Sequence, residues 1–187
     1  MIDAANITNY SLTENELEAR ILFWILAAGK NGTRSAKITN SIVEQYKGLR
    51  ETLFKYLRLL DFEDTLNMCK YHKTGCFGSK ARSIYEICRA DLNLRTCTSE
   101  DLEKIYGIGM KTSRCFILHS RKNAQYAGLD THMLKHLKSL GYAVPKNTPS
   151  SKKMYLTIEQ IVIKLAHEAG ETPADYDLNI WNKFKVV

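Results

Sequence analysis

Two short segments carry the residue types from which chemistry could be built. The first is Leu102-Glu103-Lys104-Ile105-Tyr106-Gly107-Ile108-Gly109-Met110-Lys111-Thr112-Ser113. Two glycines with one apolar residue between them let a backbone turn sharply and bring bare amides against a phosphate oxygen. The amides that begin the following helix add their dipole to that attraction. A Gly-x-Gly turn alone is common in helical hairpins. A helix, then apolar-Gly-apolar-Gly-x-Lys-Thr, then an apolar helix is far more specific, and it points to a hairpin that binds DNA phosphate through the amides near Gly107, Gly109 and Thr112. Lys111 places a primary amine at the start of the second helix of that hairpin. The second segment is Gly128-Leu129-Asp130-Thr131-His132-Met133-Leu134, in which Asp130 is placed to cap the helix carrying Leu134, Leu137 and Leu140. Helix amides would keep Asp130 ionised, and a stable anion is useful where positive charge must develop. The plainer reading is that Asp130 only caps. His132 is read as a polar residue of the first turn, without chemistry.

The remaining composition narrows the field. The chain has 187 residues, 27 of them basic and 20 acidic, for a net charge of +7. That surplus suits a polyanion, because neutralising phosphates releases condensed counterions. The bases recur along the chain, as Lys30, Arg34 and Lys37, as Lys70, Lys73, Lys80 and Arg82, and as Lys111, Arg114, Arg121 and Lys122. Such spacing suits a folded face rather than a disordered arm. The five cysteines, at 69, 76, 88, 97 and 115, are an odd set that argues against a disulfide framework. Cys69 and Cys76 have the first spacing of a known iron–sulfur loop, but no C-x2-C follows, and such a cluster needs four thiolates. The cysteines are therefore read as small buried hydrophobes, with no metal site and no iron–sulfur cluster. No apolar run is long enough to span a membrane. Met1-Ile2-Asp3 places an acid where a secretion signal needs bases, so the expected compartment is the cytoplasm, on the nucleoid DNA of a prokaryotic or viral source.

The elements that must position these residues are helical nearly everywhere. Ser11-Leu12-Thr13-Glu14 opens a capping box before the apolar run from Leu17 to Leu26, and Gly29-Lys30-Asn31-Gly32-Thr33 breaks that helix. Further helices are predicted over 35–45, 49–60, 62–71, 79–91, 99–106, 111–121, 131–140, 152–169 and 176–184, with Thr98 and Asp101 capping the one that leads into the hairpin. Pro145 to Ser150 reads as a long loop. No strand or internal repeat is evident. The class is all-α: a single domain over 1–187 made of two helical lobes flanking a DNA-binding groove. One lobe, approximately 30–130, holds the hairpin, and 1–29 with 131–187 forms the other.

The hairpin, followed nineteen positions after Lys111 by Leu129-Asp130-Thr131-His132, resembles the helix-hairpin-helix DNA glycosylases, the endonuclease III and 8-oxoguanine glycosylase superfamily. The resemblance runs from about Glu18 to Trp181. It implies that Lys111 attacks the sugar C1′ of a flipped nucleotide, and that Asp130 stabilises the oxocarbenium-like charge and assists the attack. Members without the lysine only cleave the glycosidic bond; its presence implies a bifunctional glycosylase/lyase that proceeds through a Schiff base and β-elimination. A nucleophilic lysine must be neutral, so burial should bring its pKa down from about 10.4, against the pull of a neighbouring aspartate. Lys30 and Asn31 fall where the family places the wedge that fills the gap left by the flipped base, and Asn31 is the choice. An ordinary interhelical turn is the alternative there.

Within that superfamily, Asp177-Leu178-Asn179-Ile180-Trp181 and a lysine-bearing tail resemble the compact archaeal-type 8-oxoguanine glycosylases, which lack a β-domain. By position, Phe77 and Trp181 would stack on the extruded base, and Lys185 would stand for the terminal lysine of that group, displaced here from the chain end. Both aromatics are equally readable as core residues. Identity needs an acceptor for the N7–H of 8-oxoguanine, to which Asp175 or Asp177 could also contribute. The expected partner is double-stranded DNA with a damaged base, bound by a monomer without a membrane. No cofactor is called for, although the hairpin carbonyls allow a structural monovalent cation. Two alternatives stay open: a glycosylase for oxidised or modified pyrimidines, and a non-catalytic helix-hairpin-helix DNA-binding protein.

Overall fold

A computed structural model describes residues 1–46 and 51–184 of the chain. Its described residues form ten α-helices and one short 3-10 turn, with no strand. The all-α expectation holds. The helices are α1 (Glu14–Ala27), α2 (Gly32–Gln45), α3 (Leu53–Leu57), α4 (Phe62–Tyr71), α5 (Phe77–Arg89), α6 (Ser99–Glu103), α7 (Met110–Ser120), α8 (Thr131–Ser139), α9 (Lys152–Glu168) and α10 (Pro173–Phe184).

Most differences from the sequence reading lie at helix ends, where caps decide. Thr13, not Ser11, caps α1: its hydroxyl accepts from the Glu16 amide, and the Glu16 carboxylate accepts from the Thr13 amide. Asn31 starts α2 three residues early by accepting from the Arg34 amide at 2.9 Å. Pro173 stands at the first position of α10, where a missing N–H costs nothing. Of the helix expected over 49–60 the described residues form only α3: past Leu57 the amides of Leu59 and Leu60 donate three residues back, to Tyr56 and Leu57, in place of the four-residue helical pattern. Leu49 lies outside the described residues.

The chain divides into two compact units, Met1–Ala4 with Ser11–Gly109, and Ala5–Tyr10 with Met110–Val187. This corrects the expected lobe boundaries at 30 and 130. Helix α1 is buried from Leu17 through Ala27 and packs on α2, α3 and α5, so it belongs to the first unit. Helix α7 is buried from Thr112 through Ser120 and contacts α10, so it belongs to the second.

In the first unit, side chains close helix ends that lack partners of their own. Thr52 makes no capping bond for α3; Asn15 and the buried Glu18 of α1 accept from the Leu53 and Phe54 amides at 3.0 and 2.8 Å. Arg89 donates to the carbonyls of Arg58 and Leu60 just past α3, and the buried Lys80 donates to those of Leu26 and Thr74. Such bonds matter because an orphaned buried carbonyl costs about 1–3 kcal/mol.

The second unit has its core in Leu129, Met133, Leu134, Leu137, Tyr155, Ile158, Val162 and Ile180. Residues 127–130 run non-helically through it, and side chains from outside the segment satisfy their backbone. Glu159 accepts from the Ala127 amide at 3.0 Å, Tyr155 donates to the Ala127 carbonyl at 2.8 Å and accepts from the Leu129 amide at 3.2 Å, and Thr148 donates to the Leu129 carbonyl at 2.7 Å. Glu159 is itself paired with buried Arg114 of α7 at 3.1 Å. The result is a fixed rail that delivers Asp130 to the start of α8.

Candidate active site

The hairpin turn is clamped by α5. The Glu86 carboxylate accepts from the Tyr106 amide at 2.9 Å, and the Arg82 guanidinium lies over the Tyr106 ring at 4.1 Å from its centroid. Gly107 has φ +76°, and a Cβ there would collide with Ser83 Oγ. Gly109 is different: it avoids positive φ, and a Cβ there would meet nothing within 4 Å. The fold therefore demands the first glycine and leaves open space at the second. Gly107→Ala should lower the melting temperature, with roughly 1–2 kcal/mol from the left-handed backbone alone, and adding Ser83→Ala should recover the part due to collision. Gly109→Ala should melt like the native chain in the same calorimetric scan. Equal losses at both positions would show that the two glycines do one job.

Lys111 stands in the first turn of α7 and Asp130 at the N-cap of α8, both in the second unit. One Asp130 oxygen accepts from the amides of His132 and Met133 at 2.9 Å each, so the expected cap is present. Lys111 interacts with Asp130, with Cys115 one turn along α7, and with Asp177 of α10. Burial pushes the Lys111 pKa down, but Cys115, Asp130 and Asp177 push harder, and the net direction is up from the ordinary lysine value. The expectation of a lysine neutralised by burial fails for this reason. Burial also pushes Asp130 up, Asp177 adds to the rise, and Lys111 and the Met133 amide oppose it without reversing it. The cap alone does not keep Asp130 in its usual range, because a second carboxylate shares the site. Burial, opposed by Lys111, pushes the Cys115 thiol up to about 12, so it is neutral at ordinary pH.

Asp177, His119 and Gly128 complete this group. Lys111, Cys115 and His119 recur every four residues and so share one face of α7. His119 Nε2 meets Asp177 Oδ2 at 3.1 Å, and its Nδ1 meets Thr8 Oγ1 at 2.8 Å. A Cβ on Gly128 would lie 2.5 Å from Cys115 Sγ and 3.1 Å from Asp177 Oδ1, so only glycine lets the rail pass this close. Sequence reasoning gave these residues no place beside the lysine, although the Lys-x3-Cys-x3-His spacing was there to be read.

The other named residues are more scattered. Asn31 is exposed, and its side chain caps α2. Lys30 is exposed next to it, and its side chain would touch a Cβ on Gly75. The Thr112 side chain is buried, which leaves only its backbone for a ligand. Phe77 begins α5 in the first unit and is 38% exposed, whereas Trp181 is half-buried on α10 in the second. Asp175 exchanges capping bonds with Thr172 at the start of α10, a local role. Lys185 lies outside the described residues. Among the described residues no group of three or more His, Cys, Asp or Glu is arranged to hold a metal ion, and no helix is long and apolar enough to cross a membrane.

Comparison with known proteins extends this picture. Residues 4–171 match the sequence model of a family described as 8-oxoguanine DNA glycosylase. A curated relative from Thermoplasma acidophilum, named 8-oxoguanine DNA glycosylase/AP lyase, is 30% identical over 171 residues, covering 86% of this chain and 76% of its own length. The same-named protein of Thermotoga maritima is 38% identical over 77 residues, an alignment spanning 40% of this chain and 36% of that relative. Among solved structures, the 8-oxoguanine DNA glycosylase of Thermotoga maritima superposes with a TM-score of 0.74 at 24% identity, covering 92% of this chain and 81% of its own. An 8-oxoguanine glycosylase/lyase of Methanocaldococcus jannaschii, in complex with a 15mer DNA containing 8-oxoguanine, gives 0.72 at 21% identity, covering 95% and 85%. At these identities the superpositions establish a shared fold.

Proposed function

Because this chain belongs to the 8-oxoguanine DNA glycosylase family, we propose that it is a bifunctional DNA glycosylase/AP lyase of base excision repair, acting as a monomer on double-stranded DNA that contains 8-oxoguanine. Its compartment is the one that holds its DNA, the cytoplasm with its nucleoid for a prokaryotic or viral source. The observation that carries this reading is that Lys111, in the first turn of α7, and Asp130, capping α8, lie in the same unit and act on each other electrostatically.

Lys111 is the nucleophile. Its neutral amine attacks C1′ of the extruded nucleotide, the C1′–N bond breaks, and the base leaves with the electron pair and takes up a proton. The C1′ adduct rearranges to an imine, and loss of a C2′ proton then expels the 3′ phosphate. Asp130 stabilises the positive charge that develops on the sugar. Lys111 starts as an ammonium, and the growing charge on the sugar competes for the same carboxylates, which favours release of its proton. The hairpin holds the backbone, with the open space at Gly109 as the approach for a phosphate. A monovalent cation there would sit on carbonyls of 104–109, of which Ile105 already accepts from the Ile108 amide at 3.1 Å, and it would add attraction for phosphate but no chemical step. Asn31, with Lys30 beside it, remains the proposed wedge, on sequence position. Phe77 and Trp181 are the aromatic faces proposed for the base, and Lys185 the contact to its carbonyl edge. They belong to separate stretches of chain, and the proposal for them also rests on sequence position.

The test is competition among duplexes with 8-oxoguanine, thymine glycol or 5-hydroxymethyluracil at equal enzyme, with release of base and strand scission followed together. The 8-oxoguanine duplex should be opened fastest. Faster release of either pyrimidine would overturn the substrate, and binding without release of any base would leave a non-catalytic module.

A further inference from the structure

Lys111 must lose a proton before it can attack, and the groups around it decide at what pH this happens. They come from three elements: Cys115 on its own helix, Asp130 at the start of α8, and Asp177 on α10. Cys115, one turn along α7, raises Lys111 most, and the two carboxylates brought in from α8 and α10 add to that rise. Asp130 is committed by its two amide bonds to one orientation and, in the proposed reaction, to the sugar. Asp177 is given no contact with the sugar in that scheme, yet its surroundings are built around it. His119 binds one of its oxygens, Thr8 binds the far side of that imidazole, and Gly128 leaves room for the other oxygen. His119 is only 2% exposed, so this chain runs through the interior. The imidazole thus bridges the Thr8 hydroxyl and the Asp177 carboxylate through its two nitrogens.

Resting on the glycosylase/lyase reading above, we infer that Asp177, seated by the His119–Thr8 chain, is a positioning residue whose charge sets the pH at which Lys111 becomes a nucleophile. Asp130 and Asp177 together hold Lys111 as an ammonium in the DNA-free protein, which protects the amine from premature reaction. Only a substrate that brings its own positive charge to the carboxylates releases it. His132, near Asp130, adds a further group to the same field.

The experiment compares the native chain with Asp177→Asn and Thr8→Val, and it has two readouts. One is the NMR titration of the Lys111 side-chain Cε in the DNA-free protein, identified by its absence in Lys111→Gln. The other is the acid limb of borohydride trapping on an abasic duplex in single turnover. Asp177→Asn keeps an acceptor for His119 and removes the charge. It should move the Lys111 titration down by about one unit, tenfold more free amine near neutral pH, and move the acid limb the same way. Thr8→Val leaves the charge and loosens its seat, so the shift should be smaller and in the same direction. An unmoved Lys111 titration in Asp177→Asn, or a rate lowered equally at every pH, would overturn the inference. A shifted titration in a protein that never traps an abasic duplex would keep the Asp177–Lys111 coupling and discard the lyase reading instead.

Discussion

Lys111→Gln should eliminate the covalent adduct trapped by borohydride on an abasic or 8-oxoguanine duplex, and strand scission should fall about a thousandfold or more, roughly 4 kcal/mol of barrier. An imine needs a primary amine, and glutamine offers an uncharged side chain of similar reach. Stability should change as well. Lys111 has a folded pKa raised above its unfolded one, so the stability it contributes is fully present below the ordinary lysine value of 10.5 and lost only as pH climbs through the raised one. Its removal should therefore lower the melting temperature at neutral pH, where Asp130 and Asp177 lose their shared cation. The loss should shrink in acid, where those carboxylates protonate. An adduct of undiminished yield would move the nucleophile elsewhere, and the structure names the rival. Lys80 is buried, and that burial pushes its pKa down to about 8, so by basicity alone it is the better nucleophile. Its amine is instead spent on the carbonyls of Leu26 and Thr74, with 5% of the residue exposed. The decision between the two lysines is one of access and geometry.

That comparison shows which parts of the molecule the sequence could announce. Helix α4 was legible to the residue because Asp61 supplies a cap just ahead of an unbroken helical pattern. The box of Thr98 and Asp101, the hairpin glycines and the Asp130 cap are likewise local relations, written within three or four positions of each other. The division into units was not legible, because it depends on which helices bury α1 and α7, and a helix buried on all sides, polar residues included, carries no directional stripe. The electrostatics were misread for the same reason. Asp177 lies 66 positions beyond Lys111, and nothing local says that α10 carries it back to that lysine. Burial alone would have pushed Lys111 down, as it does Lys80; Cys115 one turn along the same helix, with two carboxylates arriving from other elements, reverses the sign.

Asp130→Asn separates the cap from the charge. Asparagine caps nearly as well as aspartate, so the bonds to His132 and Met133 should survive and α8 should keep its start. The Asp130 pKa is raised in the folded chain by burial and by Asp177, so the ionised carboxylate is a liability to stability. The folded protein binds the extra proton more readily than the unfolded one does. Stability from this group is therefore present below its raised value and lost as pH rises through it. At neutral pH the asparagine variant should melt at the same temperature as the native chain or slightly higher, and affinity for undamaged duplex should hold. Base excision should fall by roughly two to three orders of magnitude, because a carboxylate aimed at a developing positive charge stabilises the transition state far more than the ground state. Calorimetry, duplex binding and single-turnover excision on one preparation decide the matter. A variant that unfolds yet retains full excision per folded molecule would reduce Asp130 to a cap, and the charge at C1′ would then have to be met by Asp177.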